Sequence, residues 1–342
     1  MIITVTLNAA IDKTLAVPNF RLGRRHRAVE QTAMAGGKGV NVARALRALG
    51  QPVIATGVAG GPTGTRIVEH LTEEGILNDF VRIREESRTS TAVVDPTSGE
   101  QTEINEHGPH VTESELELFV DKILYLAKGA AVCVISGSLP RGVDAELYGR
   151  LIEEMKRLGV MTVLDSEGEP MSIGTRRGPD VVTPNELEAE GLVGHEFSDD
   201  EDRRTGVGEM IELGAREALM TLPDGCLAML HEPSGERALY RATLEPLEPV
   251  SSVGSGDAFL AGFVAARYGG REVDDCLRFA VACGAESTQH FGAGVLEQRE
   301  VEQYVLADVN GLMPEAMGQV YVAEYFSPEA KADIEALVEN LI

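Results

Sequence analysis

Lysine is scarce in this chain: six residues, at positions 13, 38, 122, 128, 156 and 331, among 30 basic residues that are otherwise all arginine. Acidic residues number 55, which leaves a net charge of −25. A surface this acidic is repelled by phosphate-rich partners, so neither nucleic acid nor an anionic membrane is expected to bind it. Excess carboxylate with little lysine is the profile of a surface hydrated in concentrated salt. An arginine-biased genome gives the same counts, and unfolding followed across KCl separates the two.

Long apolar runs are also missing. No stretch approaches the roughly 18 residues a membrane span needs. The start, Met1-Ile2-Ile3-Thr4-Val5-Thr6-Leu7, reads as a strand without the basic lead and apolar stretch of a signal peptide, and a cytoplasmic setting is expected. The four cysteines (Cys133, Cys226, Cys276 and Cys283) show no paired metal-type spacing and stand in apolar surroundings. They are expected to be buried thiols in a reducing compartment. Pro/Ser linkers, low-complexity tracts and repeats are absent. With 342 residues and 43% apolar content the chain can bury one large core.

What the chain does have is alternation. Apolar, β-rich runs at 2–6, 53–57, 131–135, 161–164, 180–182 and 218–221 are separated by helical patterns at 39–49, 64–74, 113–128, 145–158 and 203–213. Several of these helices stop at glycine. That order predicts an α/β protein, a mostly parallel sheet with helices on both sides. Residues 12–34 and 88–106 break it with polar-alternating extended segments, which predict a small β lid. One domain is therefore expected over 1–310. From 311 to 342 the pattern changes to an extension ending in an amphipathic helix at 330–342. Residues 317–341 look like a fragment of neprilysin-type zinc metallopeptidases, yet no His-Glu-x-x-His exists in the chain, so no zinc site is expected.

Four motifs carry chemistry. In Val253-Gly254-Ser255-Gly256-Asp257 three small residues gather bare amides at a helix start, a site for phosphate charge. A carboxylate beside such a site is repelled by phosphate, and Asp257 is explained if it takes a proton from an attacking hydroxyl. The plain alternative is an acidic residue favouring the helix dipole. Gly36-Gly37-Lys38-Gly39-Val40-Asn41 offers a cation and an amide at a second glycine-rich helix start. It has neither the Walker spacing nor the dinucleotide fingerprint, and a flexible turn with a solvated lysine is its bland reading. Asn185 and Glu188 share one face of a helical turn and suit Mg²⁺ held through water, or simply begin a helix. Ser136-Gly137-Ser138-Leu139-Pro140 lies at the carboxyl end of a strand, where ligands sit in open α/β sheets, or is a turn.

In this order and register the motifs resemble the ribokinase-like (PfkB) family of sugar kinases over roughly residues 1–305. The likeness is greatest to the branch with 1-phosphofructokinase, tagatose-6-phosphate kinase and the minor 6-phosphofructokinase. Thr6-Leu7-Asn8 ahead of Asp12, Ser87-Arg88-Thr89 and Thr102-Glu103-Ile104-Asn105 are branch features. The resemblance implies a three-layer α/β/α sandwich with a β lid, ATP as co-substrate, Mg²⁺, and Asp257 as base beside an anion hole from Gly254, Ser255 and Gly256. It implies Asp12, Gly37, Asn41 and Ser138 on sugar hydroxyls, and Lys38 and Arg88 on the phosphate already present. Arg27 would be added from the neighbouring subunit of a homodimer formed through the lid. Nucleotide contacts would fall at Asn185, Thr221, Gly225, Ser252, Gly254, Gly256 and Gly284, and metal contacts at Asn185 and Glu188. The implied reaction is phosphorylation of a ketohexose phosphate, fructose 1-phosphate first. Departures cluster on the nucleotide side: Thr183 stands where the family has lysine, and segments 165–168 and 221–226 are altered. A non-catalytic sugar-phosphate sensor is the reading of another class that these departures motivate.

Overall fold

A computed structural model describes residues 1–315 apart from 233, 245, 246, 248, 308 and 309. The helix expected at 330–342 lies outside the described residues. Along the chain β1 (Ile2–Thr6), β2 (Ala10–Ala16) and β3 (Glu30–Gly36) precede α1 (Lys38–Ala48), β4 (Val53–Gly60) and α2 (Gly61–Glu73). Then come β5 (Leu77–Ile83), β6 (Arg88–Val94), β7 (Gln101–Asn105), α3 (Glu113–Ala127), β8 (Val132–Ser136) and α4 (Glu146–Arg157). Next are β9 (Met161–Asp165), α5 (Gly168–Arg176), β10 (Val181–Val182), α6 (Glu186–Val193) and α7 (Asp200–Glu212). The hairpin strands β11 (Glu217–Leu222), β12 (Gly225–His231) and β13 (Arg237–Thr243) lead to α8 (Ser255–Tyr268), α9 (Val273–Ser287), α10 (Gln298–Ala307) and β14 (Asn310–Glu315).

The main sheet runs β14-β13-β12-β11-β10-β9-β8-β1-β4-β5. It is parallel from β5 to β11, and β12 to β14 add antiparallel strands at one edge. Strand alternation splits the core in two. Ile2 packs on one face with α1, α2, α8 and α9, while Ile3, Val5 and Leu7 pack on the other with α3, α4 and α7. This is the expected helix–sheet–helix sandwich. Helix α8 is buried all round from Asp257 to Ala266, because α1 and α9 cover it on top of the sheet.

The two irregular segments form a second sheet in the order β3-β2-β6-β7, the expected lid. Its central pair, β2 with β6, is parallel, and the outer pairs are antiparallel. The lid grows directly out of the main sheet, since only three residues separate β1 from β2.

Candidate active site

Strand order reverses at β1, whose neighbours are β4 on one side and β8 on the other. A crevice opens at the carboxyl ends of such strands. Here Asn8 follows β1 and Ser138 follows β8, and the Asn8 Nδ2 donates to Ser138 Oγ at 3.0 Å. The lid closes the crevice from above and brings Asp12 and Arg88 to it. A side chain at Gly36 would put its Cβ 1.9 Å from Asp12 Oδ2, so glycine there is what lets the Asp12 carboxylate sit. The result is a cavity of about 580 Å³ whose lining includes Asp12, Gly37, Lys38, Asn41, Arg88 and Ser138. Burial raises the Asp12 carboxyl from its ordinary value, and Arg88 opposes the rise. Burial likewise lowers Arg88, while Asp12 supports its charge.

A second cavity of about 880 Å³ lies over the start of α8. Its lining includes Asn185, Glu188, Thr221, Gly225, Ser252, Gly254, Ser255, Gly256, Asp257 and Gly284, with Leu222, Leu244, Leu247 and Val281 giving it an apolar wall. Gly254 caps α8 in the left-handed conformation (φ 76°) with no side chain bonded to the first turn. The first amides are thus free of a capping side chain, the Ser255 amide donating to Ser252 O at 3.3 Å, and Gly254, Ser255 and Gly256 line the cavity. Lys38, Asn41 and Val253 line both cavities, so the two meet beside Asp257.

Asp257 is 7% exposed, and Asn41 Nδ2 donates to its Oδ2 at 2.8 Å. Burial, with the negative charge of Asp165 added, pushes its carboxyl up to about 7, against the pull of Lys38 and the Asn41 bond. A carboxylate tuned near neutral pH at the junction of two cavities is suited to move a proton there.

Lys38 is held differently from the expectation that it serves the sugar phosphate. Its Nζ donates to Asp165 Oδ1 at 2.9 Å and Glu188 Oε1 at 2.8 Å. Burial opposes its charge, but Asp165, Glu188 and Asp257 outweigh that, and its pKa is raised. Arg88 donates through Nε to Asn8 O at 3.2 Å, its one hydrogen bond among the described residues, and lines the first cavity. Arg27 is exposed on the β2–β3 loop and lines neither cavity of its own chain. Asn185 and Glu188 close a capping box at the start of α6: Asn185 Oδ1 accepts from the Glu188 amide, and Glu188 Oε2 accepts from the Asn185 amide, each at 2.9 Å. That is the helix start the sequence also allowed.

The donor set fits a divalent cation only in part. No cluster of three metal-ligating side chains occurs among the described residues. Asp165 and Glu188, 8% and 12% exposed, could supply two carboxylates, and water and phosphate oxygens would complete the shell, as Mg²⁺ commonly requires. The Thr183 hydroxyl, in the position noted for its missing lysine, is buried and unpaired among the described residues. Sequence reasoning missed Asp165 and Asn8 as site residues. The signal was available in both, since each sits at the carboxyl end of a parallel strand.

Residues 5–299 match the pfkB family carbohydrate kinase profile. A shorter match, to Peptidase family M13, covers residues 285–342, too little of the chain to show that family. The 1-phosphofructokinase of Borreliella burgdorferi is 31% identical over 285 residues, covering 83% of this chain and 90% of the relative. Phosphofructokinase-2 from Escherichia coli, solved with substrates and products, superimposes with a TM-score of 0.82 at 29% identity, covering 89% of this chain and 98% of that one. Arabidopsis thaliana ribokinase, solved with ribose and ATP, shares the fold at a TM-score of 0.69 and 23% identity over 89% of this chain and 98% of its own. With two motif-bearing helix starts meeting at one buried carboxylate and a family match across most of its length, the chain belongs to the pfkB family of carbohydrate kinases.

Proposed function

We propose that this kinase transfers the terminal phosphoryl group of ATP to a hydroxyl of a phosphorylated ketohexose, with fructose 1-phosphate giving fructose 1,6-bisphosphate. The observation that carries the reaction type is the position of Asp257 where the two cavities meet, beside the uncapped start of α8. The sugar phosphate would enter the first cavity, its hydroxyls on Asp12, Asn41 and Ser138 and its phosphate on Arg88. The apolar wall of the second suits a nucleotide base, and the altered Thr221–Cys226 segment forms a tight β11–β12 hairpin at its edge.

Asp257 would take the hydroxyl proton as the oxygen attacks, and the amides of Gly254, Ser255 and Gly256 would hold the charge of the phosphoryl group in flight. A Mg²⁺ ion beside Asp165 and Glu188 would neutralise phosphate charge. Lys38 already carries positive charge at that place and would serve the travelling phosphoryl group rather than the sugar's own phosphate. The lid would exclude water, the competing acceptor.

The choice of fructose 1-phosphate rests on the Borreliella relative. The likeness to E. coli phosphofructokinase-2, also solved with fructose 6-phosphate, keeps that sugar as the second reading. A coupled assay across fructose 1-phosphate, fructose 6-phosphate and tagatose 6-phosphate decides: kcat/KM is expected to be highest for the first. Activity on ribose alone would sink the sugar-phosphate assignment. A protein that binds sugar phosphate in calorimetry but neither binds nor hydrolyses Mg-ATP would be the sensor instead.

The acidic limb of the kcat/KM profile, which reports the free enzyme, is expected to have an apparent pKa near 7, since a base must be deprotonated and burial holds Asp257 up at about that value. Activity then falls about tenfold per pH unit below the limb. A flat profile from pH 5 to 8 removes Asp257 as base.

A homodimer through the lid is part of the same reading. Leu22, Val29 and Ile104, all on the lid or its loop, are 90%, 71% and 59% exposed, and Arg27 lies among them. Sedimentation velocity tests it, and a monomer at micromolar concentration rejects it. A cytoplasmic setting agrees with four free, buried thiols.

A further inference from the structure

Arg44 is an unexpected residue in the core. It lies on α1 one turn beyond Asn41, and it is 8% exposed. Its guanidinium is engaged on every nitrogen. Nε and Nη2 grip the Glu74 carboxylate at 2.5 and 3.0 Å. Nη2 also donates to Ala35 O at 2.6 Å, at the end of lid strand β3. Nη1 donates to Ala293 O at 3.0 Å and to Asn41 Oδ1 at 3.2 Å.

The last bond has a consequence for the reacting centre. An Asn amide fits its pocket nearly as well after a half rotation, and its neighbours decide which end is which. Arg44 can only donate, so the oxygen of the Asn41 amide must face it. The NH₂ end is then the one turned to Asp257, where it donates to Oδ2 at 2.8 Å. With the amide reversed, its oxygen would face the ionised carboxylate, the form that takes a proton from substrate, with no hydrogen between them.

The Ala293 bond acts on the other side of the centre. The turn at 293–294 is wedged tightly: a Cβ at Gly254 would lie 2.6 Å from Ala293 Cβ, and one at Gly294 would lie 2.3 Å from Asn41 O. Holding Ala293 therefore holds the backbone that backs Gly254. Glu74, 28% exposed at the end of α2, steadies the fork from outside.

We propose that Arg44 is a positioning residue that fixes the Asn41 amide with its NH₂ toward Asp257 and pins the lid root and the 293–294 turn around the same point. The proposal rests on Asp257 being the base. It explains why a fully charged side chain is buried where an apolar one would serve packing alone: five directional donors can orient three segments at once, and a hydrocarbon cannot.

The test is a double-mutant cycle read by steady-state kinetics and thermal melting, with variants Arg44→Met, Asn41→Ala and the pair, and Arg44→Lys alongside. Arg44→Met is expected to lower kcat by about 10–100-fold with KM for the sugar phosphate changed less than about 3-fold. On the Asn41→Ala background the same change is expected to lower kcat by a factor at least about 3-fold smaller than on the native background, because Arg44 then has no amide to orient and only its hold on the 293–294 turn and the lid root is left to lose. Arg44→Lys keeps the charge opposite Glu74 but loses the fork. It is expected to melt close to the unaltered protein while losing about 5-fold or more in kcat, which preserves the test if the Met variant does not fold. Equal losses on both backgrounds, or a lowered melting temperature with kcat intact, overturn the proposal. Failure of the base reading is separate: Asp257→Asn would then turn over normally, whatever the cycle gives.

Discussion

Replacing Asp257 with asparagine is expected to lower kcat by at least about 10²–10⁴-fold, the usual contribution of a positioned general base. Binding of the sugar phosphate, measured by calorimetry, is expected to stay within about 3-fold, since Asp12, Arg88 and Ser138 are untouched and the Asn41 donor keeps an oxygen to bond. The same substitution is expected to stabilise the fold above neutral pH. The Asp257 carboxyl is raised from an ordinary 3.8 to about 7 in the folded chain. A raised carboxyl makes folding favourable while it is protonated, and that advantage is lost as pH rises through the folded value. At about 1.4 kcal/mol per pH unit the cost of the buried charge at pH 8 has a ceiling of roughly 4 kcal/mol. Asparagine carries no charge, so its gain in melting temperature over the native protein should be near zero at pH 4, grow through pH 7 and level off by pH 8. A variant with native kcat, or one whose melting difference does not change with pH, contradicts this account.

Why a site would keep such a cost follows from its surroundings. Asp257 shares its neighbourhood with Asp165 and Asp12, both of which raise it, and Lys38 alone among the cations named beside it pulls the other way. Lys38 is itself bound by Asp165 and Glu188, so the positive charge facing the base is already divided. Phosphate oxygens entering the second cavity would compete with Asp165 and Glu188 for Lys38. On the proposed reading, the ion-pair arrangement is thus placed to respond to the donor.

The sequence made some of this legible for concrete reasons. Strands β1, β8 and β9 are short apolar runs bounded by turns, and α2 to α4 bury one face each, so their periods are visible, whereas α1 is buried without a break from Gly39 to Leu46. The lid showed as polar alternation in a place where a crossover helix was due. Strands β12 and β13 were not anticipated, since an edge strand such as Arg237–Thr243, in which Leu239, Tyr240 and Ala242 are buried, mixes faces over too few residues. Most of α8 carries no helical period at all because it is buried on every side. Motif position pointed to Asp257, Asn41 and Asp12, which line the two cavities, but could not direct Lys38, whose long side chain reaches carboxylates 127 and 150 residues away. Arg44 gave no sign of its role either: a lone arginine in a helix is ordinarily solvated, and only its contacts with Ala35, Glu74 and Ala293 make it otherwise.

Gly254→Ala is the other substitution expected to be severe, and it tests the anion hole without touching a reacting side chain. Gly254 holds φ 76° and ψ 11° at the cap of α8. An L-residue in that conformation costs about 1–2 kcal/mol. The greater difficulty is space, because the new Cβ would fall 2.6 Å from Ala293 Cβ, 2.7 Å from Ala293 Cα and 3.0 Å from Gly294 N. Those are backbone-anchored atoms, and Ala293 is held through its carbonyl by buried Arg44. Either the 293–294 turn gives way or the first turn of α8 rotates, and the second outcome turns the amides away from the phosphoryl group. Loss of one such donor typically lowers kcat by about 10²–10³-fold. That size is expected here, with KM for the sugar phosphate nearly unchanged because the lid side of the crevice is intact. Steady-state kinetics together with a melt would check it: a folded variant with kcat within about 3-fold of the native enzyme would mean that the amides at the start of α8 do not carry the transition-state charge.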